Sequence, residues 1–402
     1  MMIPVEEALV LVLDGVAPVG GVERVPLAEA HGRVLAEDIV ATRDQPPFRA
    51  SAMDGYAVRA TEAVPGARLA VIGESSAGAR HDRPLGDSEA VRIFTGAPVP
   101  EGADAILIQE NGDRQGDVVV PREATAPGRF VRPAGLDFTS GATLARAGER
   151  LHPGLLCLLA AANRATLPLR RRPRVSVVAT GDELVPLGGA PGPDEIVASS
   201  VHGVVAILRG YGANARDAGI ARDTMADLER TFEAATADDP DLVVTLGGAS
   251  VGRHDLVADA LRARGIAMAF EKVAMRPGKP LMHGRERVAD RERLWLGLPG
   301  NPVSSLVCAH LFGAPLVSRF LGTRDARMWT EVEAGVELAA NDERQDYLRV
   351  TLDGMVATPM DRQDSSQISR FAAADALLVR PPHAAVATAG TRHRALLLHR
   401  FH

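Results

Sequence analysis

The chain has 402 residues, of which 46% are hydrophobic and 24% are charged, and its formal net charge at pH 7 is −6. This length exceeds what a single hydrophobic core normally supports, so we expect several domains. Both signs of charge are spread along the chain, which argues against a general nucleic-acid-binding protein, because such a protein needs a basic face.

Cysteine usage and the N-terminal sequence indicate the cellular compartment of the protein. The only cysteines, Cys157 and Cys308, lie in apolar helical patterns, which argues against a disulfide framework and favours a reducing compartment. The first residues lack the basic start and the small-residue cleavage site of a signal peptide. No apolar run approaches the roughly 20 residues that cross a bilayer. We therefore expect a cytoplasmic protein without a membrane segment.

The first 172 residues are predicted to combine helices with many short strands. Apolar spacing predicts helices at residues 5–13, 28–36 and 154–162, and a strand at 23–27. Between about residues 45 and 137, short β-type runs alternate with Gly and Pro turns, which is typical of an all-β insertion. The predicted strands of this insertion are 68–72, 89–93, 105–109 and 117–120.

After about residue 173 the pattern changes to strands that alternate with helices. The predicted strands are 175–179, a short one near 215, 242–246, 267–272 and 294–297, and the predicted helices are 201–209, 225–235, 255–264 and 302–321. This alternation predicts an α/β fold with a mostly parallel, doubly wound sheet. After about residue 325 the helices fade, and short alternating runs predict a small β domain.

Three unusual loops follow strands of the predicted sheet, at the edge where ligands bind in doubly wound folds. The first, residues 180–184, reads Thr-Gly-Asp-Glu-Leu. Its adjacent carboxylates, Asp182 and Glu183, have two interpretations: they form part of a helix-capping turn, or they hold a divalent cation through oxygen ligands.

The other two loops are rich in glycine and proline. Residues 247–252 read Gly-Gly-Ala-Ser-Val-Gly, with Asp255 just beyond; they form either a tight turn or a site at which backbone amides approach a phosphate. Residues 298–305 read Leu-Pro-Gly-Asn-Pro-Val-Ser-Ser. Asn301 and Pro302 suit the start of a helix, and the rigid turn also suits a flat heteroaromatic ligand.

Three cationic residues lie within one strand-plus-turn segment, residues 271–280: Lys272, Arg276 and Lys279. Isolated basic side chains are usually solvated, but the Pro-Gly pair between Arg276 and Lys279 fixes the turn, so these two can converge on an anion. No catalytic triad is evident, and the histidines show no metal-ligand spacing.

Six motifs follow one another along the chain from the N-terminus, in this order: SAMDGYAV, RIFTGAPVPEGADAILIQE, TGDEL, GGASVGRHD, RPGKP and GLPGNPVSS. In this order the sequence resembles the bacterial molybdopterin molybdenumtransferases and the gephyrin E domain, from about residue 4 to about residue 380. The resemblance implies four parts. They are a discontinuous helical and extended part (1–44 and 138–172), the β insertion (45–137), a doubly wound molybdopterin-binding domain (173–325) and a C-terminal β-barrel-like domain (326–402).

The resemblance also implies a reaction, in which molybdate enters adenylylated molybdopterin and AMP is released with the help of Mg²⁺. The implied oxyanion ligands are Arg276, Lys279, Ser304, Arg349 and Ser365. The implied ligands of the pterin and its phosphates are Gly247, Gly248, Ser250, Pro299, Gly300 and Asn301. The implied cation ligands are Asp182, Glu183 and Asp255. Asp223 and Lys272 would line the same cleft, and Asp54 and Thr95 would approach from the second subunit of a homodimer.

Such a site would act by positioning and electrostatic stabilisation rather than by covalent catalysis. The resemblance further implies contacts with the pterin adenylyltransferase and with recipient molybdoenzymes, and it implies no nucleic acid and no membrane among the partners.

The sequence departs from the family pattern at four places. Ala198 and Ser200 stand where the family often has Asp and Asn, Leu136 replaces a glutamate, Arg276 replaces a lysine, and Asp364 replaces a glycine beside Ser365. The first three of these residues, Ala198, Ser200 and Leu136, motivate an alternative, a divergent paralogue that binds molybdopterin or a partner protein without catalysis. A third hypothesis is the pterin adenylyltransferase, which shares the doubly wound domain but needs neither the insertion nor the C-terminal β domain.

Overall fold

In a computed structural model of the chain, residues 2–248 and 256–398 are described, and they divide into two compact units. The α/β unit comprises Met1–Arg24, Gly32–Ala36 and Pro168–His402, and the insertion unit comprises Val25–His31 and Glu37–Leu167.

The elements up to residue 170 are mostly short strands. The helices are α1 (Val5–Leu13) and α2 (Pro153–Ala161), and single 3-10 turns occur at Leu27–Glu29 and Gln109–Asn111. The strands are β1 (Val22–Pro26), β2 (Ile39–Val40), β3 (Ala50–Ser51), β4 (Gly55–Val58), β5 (Leu69–Ser75), β6 (Glu89–Ile93), β7 (Ala105–Ile108), β8 (Gly112–Gln115), β9 (Val118–Pro121), β10 (Val131–Arg132), β11 (Thr143–Ala145) and β12 (Thr166–Arg170).

The predicted helix at 28–36 was wrong. Only the 3-10 turn Leu27–Glu29 forms there, and Gly32 has a φ of 70°, which interrupts a right-handed helix. Leu35 instead forms an antiparallel bridge to Leu169. The apolar residues Ala30, Val34 and Leu35 are buried, but by a chain that turns rather than by one face of a helix.

The insertion unit contains a six-stranded sheet in the order β7-β4-β6-β5-β9-β8, antiparallel except for the β5–β6 pair. Successive side chains of β4 contribute to different apolar clusters, with Tyr56 and Val58 in one and Ala57 in the other, because a strand alternates its side chains between the two faces. The prediction of an all-β insertion is confirmed.

The doubly wound part follows from residue 174. Its strands are β13 (Arg174–Thr180), β14 (Leu184–Val185), β15 (Ile196–Val197), β16 (Asn214–Ala221), β17 (Leu242–Leu246), β18 (Ala267–Phe270), β19 (Met275–Arg276), β20 (Met282–Val288) and β21 (Arg291–Leu298). Its helices are α3 (Ser199–Gly210), α4 (Met225–Thr236), α5 (described over Leu256–Ala263), α6 (Pro302–Cys308) and α7 (Ala314–Phe320).

The main sheet has the order β16-β13-β17-β21-β20-β18. The first four strands are mutually parallel, whereas β20 is antiparallel to β21 and β18 is antiparallel to β20. The central strand β17 is buried along its whole length, as expected for a parallel strand covered on both faces. The predicted mostly parallel sheet is confirmed.

Helices α6 and α7 form one continuous helix through a π-helical turn at Ala309–Gly313. Pro315 lacks the N–H that would bond the carbonyl oxygen of Leu311, and Arg327 Nη1 donates to that oxygen at 2.8 Å. Within the described residues this helix, Pro302–Phe320, meets the length and composition of a membrane span, contrary to our expectation from the sequence, but 94% of its most apolar window is buried. Such burial is typical of a core helix.

The C-terminal part is a closed five-stranded barrel. Its elements are β22 (Trp329–Ala334), β23 (Gln345–Asp353), β24 (Val356–Pro359), α8 (Ile368–Ala372), β25 (Ala376–Arg380) and β26 (Arg392–Leu397). The order β23-β24-β22-β26-β25 closes because β23 also pairs with β25. The short strand β19 pairs with the start of β23, so the barrel is joined to the segment between β18 and β20.

Candidate functional site at the carboxyl edge of the sheet

The carboxyl ends of the four parallel strands lie level with one another. Thr180 is paired with Ala221, and Leu246 is paired with Leu298. The loops that begin after these residues therefore leave the sheet at one edge, as doubly wound folds require for a ligand site.

Two of the glycine-containing loops touch each other and the end of β13. The Gly247 amide donates to the Leu298 carbonyl oxygen at 3.1 Å, and Thr180 Oγ1 donates to the Leu246 carbonyl oxygen at 3.3 Å. A Cβ atom on Gly247, whose φ is 107°, would lie 2.5 Å from the Thr180 carbonyl oxygen, and one on Gly300 would lie 3.3 Å from Gly247 Cα. Glycine is therefore required at residue 247 by both sterics and backbone conformation.

Gly248, with a φ of 68°, packs equally closely, because a Cβ atom there would lie 2.0 Å from Val257 Cγ2. The rest of this loop, residues 249–255, lies outside the described part of the chain, and so do the candidate residues Ser250 and Asp255.

The acidic candidates form a group at the ends of β13 and β16. The Asp223 amide donates to Asp182 Oδ1 at 3.0 Å. Burial raises the pKa of the Asp223 carboxyl, and the negative charges of Asp182 and Glu183 raise it further. No group of three or more His, Cys, Asp or Glu side chains among the described residues is arranged to hold a metal ion by itself. The third predicted cation ligand, Asp255, is not among those residues.

The cationic segment reaches the same edge. Phe270, the last residue of β18, is paired with His283, and Met282, the first residue of β20, is paired with Gly297 near the end of β21. Residues 271–281 therefore connect two strands at the carboxyl edge. The amides of Val273 and Leu281 both donate to the Lys279 carbonyl oxygen, at 3.0 and 3.1 Å, which closes the base of this loop.

Arg276 does not extend freely into the cleft. Its Nε and Nη2 donate to the two carboxylate oxygens of Asp346, at 2.9 and 2.5 Å, and its Nη1 and Nη2 contact Asp342 and Asn341, at 3.2 and 3.1 Å. Lys272 and Lys279 are exposed, and neither forms an ion pair with a residue in the described ranges.

Arg349 is buried, with 1% of its surface exposed, and it organises the segment that carries Ser365. Its Nε donates to Gln363 Oε1 at 3.2 Å and its Nη1 donates to the Asp364 carbonyl oxygen at 2.8 Å. Burial lowers the pKa of this guanidinium. Its side chain donates to residues 362, 363 and 364, so Arg349 holds the segment that precedes Ser365.

Ser365 joins the barrel to the third loop. Its carbonyl oxygen accepts from the Val303 amide at 3.0 Å, and its hydroxyl accepts from Asn301 Nδ2 at 3.1 Å. Asn301 occupies the N-cap position of α6, as the sequence predicted, but its side chain bonds Ser365 and makes no capping hydrogen bond. Ser304 is buried in the first turn of α6, and Pro299 lies in the preceding turn.

In the insertion unit, Asp54 and Thr95 are brought together. Asp54 Oδ1 accepts from both the backbone amide and the hydroxyl of Thr95, each at 2.8 Å, and these bonds lower the pKa of the Asp54 carboxyl. The positive charge of Arg92 also lowers this pKa. The Arg92 guanidinium lies 5.2 Å from the Tyr56 ring centroid and 4.9 Å from that of Phe94.

Sequence reasoning missed four residues that shape these sites: Arg92, Asp342, Asp346 and Gln363. All four act through contacts to residues distant in the chain, and a single sequence carries no signal for such pairings.

Two of the departures from the family pattern can be located in the structure. Ala198 is buried at the N-cap of α3, and Leu136 is 58% exposed in the insertion unit.

Comparison with known families identifies successive parts of the chain. Residues 3–163 match the MoeA N-terminal region (domains I and II), residues 176–319 match a probable molybdopterin binding domain, and residues 331–398 match the MoeA C-terminal region (domain IV). A Mycobacterium tuberculosis protein named molybdopterin molybdenumtransferase 2 is 36% identical over 382 residues, which cover 92% of this chain and 93% of that protein. The chain belongs to the MoeA family.

Other members of the MoeA family are similar in sequence and in structure. A molybdopterin molybdenumtransferase of Nostoc sp. is 35% identical over 335 residues, covering 81% of this chain and 76% of that protein. Two structures of the molybdopterin biosynthesis MoeA protein of Pyrococcus horikoshii have TM-scores of 0.86, with 31% and 25% identity, and cover 99% of this chain and 99% and 100% of theirs. The predicted resemblance and fold class are confirmed.

Proposed function

We propose that this protein is a molybdopterin molybdenumtransferase, which inserts molybdate into adenylylated molybdopterin and releases AMP. One observation carries the proposal: the acidic loop, the two glycine-containing turns and the lysine-bearing segment all lie at one edge of the sheet. The names of the relatives, which match over most of the chain, support the same activity.

The glycine-containing turns would bind the flat pterin and its phosphate. Gly247, Gly248 and Gly300 let the backbone approach a ligand closely, and Pro299 and Asn301 keep the third turn rigid. Ser250 completes this proposed set. Binding here would fix the dithiolene sulfurs beside the oxyanion and exclude water from the phosphoanhydride.

The oxyanion would lie between the lysine-bearing segment and the barrel. Lys279 and Lys272 supply positive charge, and the hydroxyls of Ser304 and Ser365 are potential hydrogen-bond donors. Arg349 fixes the Ser365 segment through Gln363 and Asp364. Molybdate is a dianion, so preorganised positive charge and donors are the stabilisation that it needs.

The acidic group fits a divalent cation. Asp182, Glu183 and Asp223 lie close together, and the negative charges of Asp182 and Glu183 add to burial in raising the pKa of the Asp223 carboxyl. Carboxylate oxygens are ligands that Mg²⁺ prefers. Asp182 and Glu183, with Asp255, would hold the ion. Bound Mg²⁺ would neutralise charge on the phosphoanhydride during its cleavage.

The proposal includes a homodimer with composite sites, in which Asp54 and Thr95 of one subunit serve the cleft of the other. It also includes the four-part division at residues 44, 137, 172 and 325, and delivery of the product to recipient molybdoenzymes. Both cysteines are free, which supports a reducing, cytoplasmic compartment.

The test is a purified assay with adenylylated molybdopterin, Mg²⁺ and molybdate, in which AMP release and cofactor formation are both measured. We expect turnover that depends on molybdate and that falls at least tenfold in the variant Gly300→Val, which fills the space between two turns. The matched control is Gly20→Val, at an exposed position without a positive φ and with no atom within 4 Å of its Cβ position; both variants must be folded for the comparison. Tight pterin binding without turnover would favour the divergent paralogue, which is motivated by Ala198, Ser200 and Leu136. ATP-dependent adenylylation would favour the adenylyltransferase.

A further inference from the structure

Two of the six sequence motifs, SAMDGYAV and RIFTGAPVPEGADAILIQE, are joined in the insertion unit at two places. At one place the Gly96 amide donates to the Ser51 carbonyl oxygen at 2.8 Å. At the other, Gly55 is paired with Ile93 in the antiparallel register of β4 and β6. The carboxylate–threonine pair described above lies in the short segments between these places, so its geometry depends on what holds those segments.

Arg92 contacts the chain beside both members of this pair. Its Nη1 donates to the carbonyl oxygen of Gly55 at 3.1 Å, and Gly55 directly follows Asp54. Its guanidinium lies 4.9 Å from the ring centroid of Phe94, which directly precedes Thr95. Each member of the pair therefore has a chain neighbour that contacts Arg92.

A third contact of Arg92 reaches Asp54 through Gln109. Arg92 Nη2 donates to Gln109 Oε1 at 2.9 Å, and the Gln109 amide donates to the Asp54 carbonyl oxygen at 3.1 Å. Tyr56 is paired with Arg92 across the two strands, and its ring lies against the guanidinium, as cross-strand neighbours on one face of a sheet do. Two hydrogen bonds and two ring contacts from one group require the planar fork of arginine, which a lysine ammonium lacks.

The Asp54 carboxylate has one engaged oxygen and one free oxygen. Oδ1 accepts both Thr95 donors, whereas Oδ2 has no hydrogen-bond partner in the described part of the chain. The two bonds from Thr95 lower the pKa of the Asp54 carboxyl, and the positive charge of Arg92 lowers it further. The carboxylate is therefore ionised at neutral pH, and its free oxygen can accept a hydrogen bond from a ligand.

We infer that Arg92 is a positioning residue, which fixes Asp54 and Thr95 relative to each other so that Asp54 presents its free carboxylate oxygen to the substrate. The inference rests on the proposed function for the identity of that substrate. Arg92 acts through the pair rather than on the substrate, since both of its terminal nitrogens donate to acceptors of the insertion unit.

Substitutions of Arg92 can separate its charge from its geometry. Arg92→Lys keeps the positive charge and loses the fork, whereas Arg92→Gln loses the charge. The matched control is Arg122→Gln, in the same unit, where the side chain is 64% exposed and lies 3.7 Å from Asp113. In the full-length protein, ¹³C NMR measures the pKa of the Asp54 carboxyl, with the signal assigned through Asp54→Asn. Hydrogen exchange measures the protection of the Thr95 amide.

In Arg92→Gln, the pKa of the Asp54 carboxyl should rise, because a nearby positive charge is removed. In Arg92→Lys this pKa should stay close to that of wild type, but the Thr95 amide should exchange roughly tenfold faster, because the pair is no longer held. The exposed Gln109→Leu removes one contact only, so it should fold and should speed exchange by a smaller factor. Arg122→Gln should change neither quantity. Unchanged exchange in Arg92→Lys and Gln109→Leu would overturn the inference.

The transferase assay provides a second, independent readout. Asp54→Asn and Arg92→Lys should each lower kcat by roughly tenfold or more, because a misplaced group loses its effect on the reacting atoms. The double variant should be no slower than Asp54→Asn, since both changes act on one carboxylate. Multiplied losses in the double variant would overturn the inference, because Arg92 would then act by another route. Absence of turnover in wild type, with the expected changes in exchange and pKa, would refute the proposed function alone.

Discussion

Replacing Arg349 by methionine should release the segment that carries Ser365. The guanidinium is buried and donates to Gln363 Oε1 and to the carbonyl oxygen of Asp364. Methionine keeps most of the apolar stem and removes every donor. Gln363 Oε1 would keep its hydrogen bond from the backbone amide of residue 349 at 2.9 Å, but the Asp364 carbonyl oxygen would lose the donor that ties it to the barrel strand β23.

The size of the effect follows from these contacts. A hydrogen bond to a charged group contributes about 1.5–3 kcal/mol, and bonds in one network are not additive. We therefore expect the free energy of unfolding of the α/β unit to fall by about 2–4 kcal/mol. Arg370→Met is the matched control, since its side chain is 42% exposed and its ion pair with Asp361 should contribute at most about 1 kcal/mol.

Both tryptophans, Trp295 and Trp329, lie in the α/β unit, so urea unfolding followed by tryptophan fluorescence reports on that unit. The local consequence can be read by hydrogen exchange at the Val303 amide, which donates to the Ser365 carbonyl oxygen and should lose protection. Equal unfolding midpoints for the Arg349 and Arg370 variants, together with unchanged exchange at Val303, would refute the reasoning, because the segment would then be held by other contacts.

Three further outcomes are expected. Gly247→Ala should lower the free energy of unfolding by about 2–4 kcal/mol, because it strains the backbone and places the new methyl group against a backbone carbonyl oxygen. The control is Gly219→Ala, where φ is 100° but the Cβ position is open, so the loss there should be clearly smaller. Equal urea midpoints for the two variants would contradict this. Burial lowers the pKa of His283 to about 4, below its value in the unfolded chain. The free energy of unfolding should therefore be highest above about pH 6.5 and should fall by roughly 3 kcal/mol towards pH 4, because the unfolded chain binds the proton first. In the variant His283→Gln, the free energy of unfolding measured across pH should depend less on pH. Thr95→Ala should raise the pKa of the Asp54 carboxyl, measured by ¹³C NMR, because it removes a hydrogen bond to the ionised form; an unchanged pKa would count against the pairing.

Much of the fold could be predicted because parallel strands covered on both faces are continuous apolar runs. Strand β17 is one of these, and it ends at the residue predicted. Strand β20 was missed because only its first three residues are buried. The next three are charged and partly or fully exposed. It lies at the antiparallel side of the sheet, where no continuous apolar run is required.

The loops of the site could be predicted for a related reason, since strand ends in a doubly wound sheet meet at one edge. Their long-range partners could not. Asn301 suits an N-cap by its type, yet its side chain bonds Ser365, 64 residues later in the chain. The neutralisation of Arg276 depends on Asp346, 70 residues away. Local propensity carries no information about such pairings.

The pairing of β19 with β23 links the C-terminal barrel to the candidate site. Met275 and Arg276 belong to the same sheet as Gln345 and Asp346, while β18 and β20, on either side of them in the chain, belong to the main sheet. A protein truncated near residue 325 would keep every strand of the main sheet, but the loop between β18 and β20 would lose its strand pairing with the barrel. Exchange of barrels between homologues should therefore alter the geometry of this loop even when the glycine-containing turns are left unchanged.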